Sequence, residues 1–437
     1  MKQKTITVVG AGIAGLAAAY DLQRAGYDVN VLEKSTWAGG RMANFRQGRM
    51  VLETGASYIF NFYGEMMDLI KELGVEKTLI EIPYHSVQVV RPDGAHTFSY
   101  GSNAFKLLFN PALSFRSKCR LPAVLLELFM ARSGIDPDFV ETAAGYDDAD
   151  METYLTRKVG RDFVDGFAAP VFRTLWAWEP HEFTKAYFLA FLAHTMWCRT
   201  YTFANGIGFL TKTLAENVNL HLNAEVKHIR KDADGWTVDY KENENEKTMR
   251  SDIIVCACEA FHVPGLIDDL TPEQQRFFGE VRYSQAMALH YLLKGELEPK
   301  FTAYSQDYPG PLGSISQIPG GLSGLTDSPA RLWVTLRPAY VKKNVSERGE
   351  NLDELTRPHV KKLYPNLDDD LLEVHTQYEG LHLNLAYPGY IKKVRDFLKG
   401  QEQSDRDIYF CGDYLGHPHS GGACATGRKV ARQIMYK

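Results

Sequence analysis

The sequence predicts an α/β fold whose N-terminal part is a βαβ unit, and three observations predict it. A glycine pattern, Gly10, Gly12 and Gly15, separates a β-branched run from a helical one. An acid, Glu33, ends the next apolar run, 18 residues after Gly15. The 437 residues, 45% hydrophobic and 24% charged, are enough for two or three domains with a large core.

Each element follows from its residues. TITVVG is a short β-branched run ending in glycine, which reads as a buried strand. IAGLAAAYDLQRAG carries Ile, Ala and Leu on one packing side and stops at Gly26, which reads as a helix. DVNVLEK reads as the second strand. In this context the glycines suit a dinucleotide. Gly10 permits the tight turn, Gly12 lets backbone approach a pyrophosphate, and Gly15 lets helix and strand pack closely. The helix start, with Ile13 and Ala14, offers N–H groups and a partial positive charge to phosphates. Glu33, followed by Lys34, stands where a carboxylate accepts hydrogen bonds from ribose hydroxyls. A glycine-rich turn without a ligand is the competing reading, and strand, helix and acid in register disfavour it. WAGGRMANF then adds Gly39, Gly40 and Arg41. The glycine pair lets the chain pass close to a cofactor, and Arg41 suits a phosphate or a ring carbonyl; a surface turn with a solvated arginine is the alternative.

Charge and cysteine usage exclude some classes. A net charge of −5 gives a general nucleic-acid role no electrostatic support. The six cysteines are scattered without C-x-x-C pairs or zinc-like spacing to histidines, which fits a reducing cytoplasm. Cys256 and Cys258 read as small buried residues. The N-terminal run is too short for a secretory signal and is needed as a strand, and no stretch reaches the length of a membrane-spanning helix.

The sequence resembles the superfamily of FAD-dependent amine oxidases, protoporphyrinogen oxidases and phytoene desaturases. VVGAGIAGLAAAYDL…VNVLEKSTWAGGRM is similar to its N-terminal FAD signature, and IYFCGDYLGHPHSGGACATGRKVA, residues 408–431, to its C-terminal flavin motif. ETGASYIF, the segment 203–238 and SDIIVCACEAF resemble interior pieces in the right order. The resemblance implies a Rossmann-like FAD-binding domain built from residues 1–80, 203–265 and 380–437. An α+β substrate domain of sheet and helices would use 81–202 and 266–379. It implies non-covalent FAD, contacted further by Gly55, Ala56 and Ser57, by the Val226 backbone at the adenine, and by Gly412 and Asp413 near the ribityl and pyrophosphate. Gly421, Gly422 and Ala423 would open the last helix, with the Gly422 and Ala423 N–H groups aimed at flavin O2.

Between these motifs, QVVRPDGAHTFSY reads as a hairpin turning at Pro92-Asp93-Gly94, and residues 232–252 as another with a polar tip near 241–248. The run 101–134 mixes Phe and Leu with Lys106, Arg116, Lys118, Arg120 and Arg132 and holds one acid, Glu127. A helix pair covering the substrate domain, a mouth for a lipophilic substrate and a peripheral membrane contact would all read this way.

The lysine that many amine oxidases of the resembling group place near flavin N5 is missing from the middle of SQAMALHYLLKG, where Met287 and His290 stand instead. This departure weighs against simple amine oxidation. Tyr387, Tyr390, His417 and His419 are candidates beside the flavin; either histidine has the chemistry of an acid, a base or a polar anchor. The two histidines lack further ligands, so no metal is expected. Trp176, Trp178 and His181 resemble a pocket-proximal segment. Aromatic residues make up 12% of the chain. With the run 101–134, this points to dehydrogenation of a largely apolar, cyclic or polyene substrate, with oxygen or another electron acceptor. The alternatives are an amine oxidase acting on a CH–NH bond, a flavoprotein mutase or isomerase without net redox change, and a nicotinamide-dependent dehydrogenase. The C-terminal GD…SGGA…TG motif argues against the last.

Overall fold

The computed structural model describes residues 4–47, 50–82, 86–99, 106–195, 198–321, 329–344, 351–380 and 382–437. The opening elements form as predicted: β1 (Thr5–Val9), α1 (Ile13–Arg24) and β2 (Asp28–Leu32). β1 and β2 pair in parallel from Thr5↔Asp28 to Val9↔Leu32. The chain leaves β1 through Gly10, whose φ of +101° is open to glycine at no steric cost. A run of alanines makes α1 thin enough to pack on two sides. A Cβ on Gly15 would lie 2.0 Å from the Gly10 carbonyl oxygen, and one on Gly427 would lie 2.1 Å from the Ala14 carbonyl oxygen. α1 therefore sits between the sheet and the last helix, Ser420–Met435.

The central sheet has five parallel strands in the order Leu220–His221, β2, β1, Ile253–Cys256, Ile408–Phe410. Burial on both faces explains why its strands read as near-continuous apolar runs. Three widely separated parts of the chain supply it, which the N-terminal βαβ pattern alone does not reveal. Beside it lies a three-stranded antiparallel sheet, Ala224–Asp232, Gly235–Glu242 and Asn245–Ser251. The hairpin expected at 232–252 forms, turning at Asn243 and Glu244, and the preceding strand, which carries Val226, extends it.

A second sheet has seven strands in the order Leu371–Glu379, Ala286–Leu293, Arg331–Leu336, Leu312–Ile318, Lys300–Tyr304, Ser86–Arg91, Gly94–Ser99. The last two are the expected hairpin, with Gly94 at φ +136°. Helices pack beside this sheet. A stretch ending at Trp176 that contains one π-helical turn, Val164–Ala168, lies against the sheet, and the helices Phe115–Gly134, Met151–Lys158 and Lys185–Thr195 pack on one another beyond it. A broad aromatic core unites them: Phe172 stacks on Trp176 at 4.6 Å, and Trp176 meets Phe191 edge-on at 4.8 Å. Among the described residues no helix is long and apolar enough to cross a membrane.

Candidate functional site

One continuous cavity of about 720 Å³ runs from the C-terminal ends of the parallel strands to the seven-stranded sheet and its helices. Four of the five strands of the parallel sheet deliver residues to the wall just past their ends: Gly10 after β1, Glu33 and Lys34 after β2, Ala257 to Glu259 after Ile253–Cys256, and Gly412 with Asp413 after Ile408–Phe410. A crevice at these ends is where open α/β sheets bind ligands.

The geometry fits a dinucleotide. Gly12 caps α1 with φ −71° and ψ 173°, and no side chain covers the helix N-terminus. Ile13 and Ala14 line the wall there, so first-turn N–H groups are available to phosphate. A Cβ built on Gly12 meets no protein atom within 4 Å, so the space beside it is open. Gly39 and Gly40 close the other side: Gly39 donates its N–H to the Ala11 carbonyl at 2.8 Å and bridges to Gly12. Glu33 is buried, accepting N–H groups from Ala11 at 2.8 Å and Ser35 at 2.9 Å. Gly55, Ala56, Ser57 and Val226 line the same cavity, and the buried Ser57 hydroxyl has no partner. Such an orphan hydroxyl suits a ligand heteroatom.

Arg41 and Asp413, drawn from opposite ends of the chain, form a two-pronged ion pair with both contacts at 2.8 Å. Arg41 also donates to the His382 carbonyl at 2.8 Å. Burial pushes the guanidinium toward losing its proton, and the Asp413 carboxylate outweighs it and holds the charge. Two residues each expected to contact the cofactor are thus locked to each other at the cavity wall.

The last helix departs from expectation. It opens at Ser420, with His419 as its cap. The Gly422 N–H donates to His419 Nδ1 at 3.0 Å, and the Ala423 N–H to the His419 carbonyl at 3.1 Å. The two amides expected to face a flavin are therefore satisfied within the helix start, while Ser420 and Ala423 line the cavity. Gly421 and Gly422 do not line it; they admit the Tyr63 ring and the His417 backbone, which a Cβ would meet at 2.3 Å in each case. Gly15 likewise serves packing rather than the wall.

The catalytic candidates separate in the same way. His419 lines the cavity and stacks on Tyr63 at 4.2 Å. Burial drives its pKa well down, so it is neutral, and its Nδ1 is engaged as an acceptor. His417 is buried behind it with Nε2 3.3 Å from the Asp136 carbonyl, and burial lowers its pKa to about 4. Tyr387 lies outside the wall, between Arg282 and Lys393, each 5.3 Å from its ring centre. Trp176 lines the cavity, Trp178 is buried away from it, and His181 is exposed. Met287 lines the wall. His290 sits behind it with Nε2 2.9 Å from Gln377 Oε1, its pKa lowered to about 3, by burial first.

Sequence reasoning reached Trp176 and Met287 but missed the rest of the far half of the cavity. Phe163 and Phe167 at the π-helical turn, then Phe172, Trp176, Phe188 and Phe191, form an aromatic wall. Facing it, Phe301, Trp333 and Met287 rise from the seven-stranded sheet, with Ser314 and Thr335 sharing a hydrogen bond of 2.8 Å. Arg173, the cation of this half, is paired with Glu179 at 2.6 Å. No local motif marks Phe163, Phe167, Phe188, Phe191, Phe301 or Trp333. The segment Ala257–Glu259 was readable, because it follows a buried strand and strand ends carry the site.

The family model for flavin-containing amine oxidoreductases matches residues 13–435. The chain is 25% identical over 320 residues to the zeta-carotene desaturase of Arabidopsis thaliana, covering 63% of this chain and 54% of that one. It is 29% identical over 168 residues to protoporphyrinogen oxidase 2 of the same organism, covering 38% and 31%. The match thus spans about half or less of these curated relatives. A solved structure of a putrescine oxidase double mutant superposes with a TM-score of 0.79 at 16% identity, covering 100% of this chain and 99% of that one. At that identity the likeness shows the fold.

Proposed function

Because the chain belongs to the flavin-containing amine oxidoreductase family and takes FAD as its cofactor, we propose that it dehydrogenates a largely apolar, cyclic or polyene substrate. FAD bound here would supply a hydride acceptor, with oxygen or another electron acceptor taking the electrons in the end. Residues 1–80, 203–265 and 380–437 would form the FAD-binding domain, and 81–202 and 266–379 the substrate domain. The α1 N-terminus and Gly12 would hold the pyrophosphate, and Glu33 a ribose. Val226 would lie at the adenine, and Ser57, Ala423 and the Arg41–Asp413 pair nearer the ring system.

The aromatic far wall carries the substrate reading. Phe163, Phe167, Phe172, Trp176, Phe188 and Phe191 exclude water and offer flat apolar surface to a ring or a conjugated chain. Aromatic faces attract an ammonium ion, but a desolvated one would also want a carboxylate beside them. The acids on the wall, Glu33, Glu225, Glu259 and Asp413, belong instead to the parallel-sheet end and the strand beside it. Lys34, the one lysine on the wall among the described residues, is at that end too, which also weighs against amine chemistry of the N5-lysine kind. Ser314, Ser316 and Thr335 would orient a polar substituent.

Anaerobic titration of the yellow holoenzyme tests this. Cyclic or polyene hydrocarbons with a polar substituent should bleach the flavin band, and short alkyl amines or diamines should leave it unchanged. Bleaching by amines alone would replace this reading with amine oxidation. Substrate rearrangement with no net bleaching would replace it with isomerase chemistry.

A further inference from the structure

We propose that the helix Phe115–Gly134 seats the protein on an anionic lipid surface. The helix is packed on one side only. Ser117, Leu121, Val124, Leu128 and Ala131 are buried. The opposite side carries Phe115, Leu126, Phe129 and Met130, which are 83%, 58%, 62% and 56% exposed. Positions 115, 119, 122, 126 and 129 advance by alternating steps of four and three, which at about 3.6 residues per turn keeps them on one line. Phe109, 77% exposed, precedes the helix in the same run. Water-soluble surfaces seldom present a contiguous apolar strip of this kind without a partner.

Charge selects the partner. At about 100° per residue, Arg116 and Arg120 fall on one border of the strip and Lys118 on the other. The helix's one acid, Glu127, is neutralised by Lys158 at 2.9 Å. The whole chain carries −5, so this is a local excess of cations framing an apolar strip. Aromatic and aliphatic side chains would enter the acyl–headgroup boundary while the flanking cations meet lipid phosphates. A second copy of the chain is the poorer occupant, because docking face to face sets Arg116, Lys118 and Arg120 against themselves. The helix also leans on Lys185–Thr195, with Arg132 donating to the Ala193 carbonyl at 3.2 Å, and Phe188 and Phe191 of that helix line the cavity. The surface therefore lies one helix away from the aromatic half of the cavity. The proposal does not depend on which substrate that cavity takes.

Co-sedimentation of the full-length holoenzyme with vesicles decides it. Binding is expected to vesicles of phosphatidylglycerol and phosphatidylcholine, and to be about tenfold or more weaker on phosphatidylcholine alone. Added salt should weaken it. The triple variant Phe115→Ser, Leu126→Ser, Phe129→Ser should lose binding on both, while circular dichroism and flavin content stay unchanged, because these side chains face away from the core. The triple variant Arg116→Glu, Lys118→Glu, Arg120→Glu should lose the preference for phosphatidylglycerol. A solvent-sensitive dye on exposed Cys119, which lies on the strip, should shift to the blue with anionic vesicles. The proposal is overturned by absent sedimentation with phosphatidylglycerol, by equal binding to both vesicle types, or by full binding of the serine variant. It is also overturned by a concentration-dependent dimer that the serine variant abolishes.

Discussion

Asp138 shows how a single buried carboxylate sets a pH response. Its carboxylate accepts the Glu65 N–H at 3.0 Å, and its other oxygen has no partner. Burial, then the nearby Asp136, Glu65 and Asp68, raise its pKa to about 7. An unfolded aspartate titrates near 3.9, so between about pH 4 and 7 the native state holds a proton the unfolded state has lost. Stability contributed by this group is therefore complete below about pH 4 and falls as pH rises to 7. Asp138→Asn should remove a decline on the order of 1–3 kcal/mol across that window, read from urea melts at pH 5 and 8. An unchanged pH slope would show that the carboxylate is solvated. His419 works in the opposite sense: it caps a helix only while neutral, and burial keeps it so.

At the scale of one element, the start of α1 separates glycines that serve the fold from one that serves the ligand. Gly12 has ordinary extended backbone angles, and an added side chain would point into open space. Gly12→Val should therefore fold, with stability within about 1 kcal/mol of the parent, and emerge colourless because the valine fills the space a pyrophosphate needs. Gly15→Val should fail to fold, since its Cβ would fall 2.0 Å from the Gly10 oxygen. Absorbance at 450 nm and circular dichroism of the two proteins distinguish the roles. A yellow Gly12→Val protein would remove the phosphate reading. Sequence alone predicted both glycines as necessary, but for its backbone angles and the space around it Gly12 needed the structure.

Over the whole molecule, the cradle depends on joining the chain's two ends. Arg428 on the last helix donates to Asp21 of α1 at 2.9 Å and to Glu72 of the helix Gly64–Glu72 at 2.7 Å. It also donates to the Glu65 carbonyl at 3.1 Å. It is nearly buried, so removing it leaves the nearly buried Asp21 without this partner beside Glu72, which is 32% exposed and keeps Arg24 at 3.3 Å. Arg428→Met should cost about 3–5 kcal/mol in denaturant melts and lower flavin retention together with stability. Full stability in that variant would mean the seam is wetter than the packing shows.

The sequence by itself determined the βαβ unit, its glycines, Glu33 and the C-terminal motif, because a strand, a tight turn and a helix start are set by residues close together in the chain. Composition also marked the run 101–134 as mixed apolar and basic, and the structure showed which side of Phe115–Gly134 faces outward. Only the tertiary structure decided that Arg41 pairs with Asp413, that His417 and Tyr387 leave the wall, and that His419 consumes the Gly422 amide. It alone brought Phe163, Phe172, Phe188 and Trp333 around one space. Such a cavity is made of side chains that read as ordinary core residues one at a time. Its shape arises from helices and strands more than a hundred residues apart, and no local pattern encodes a meeting at that separation.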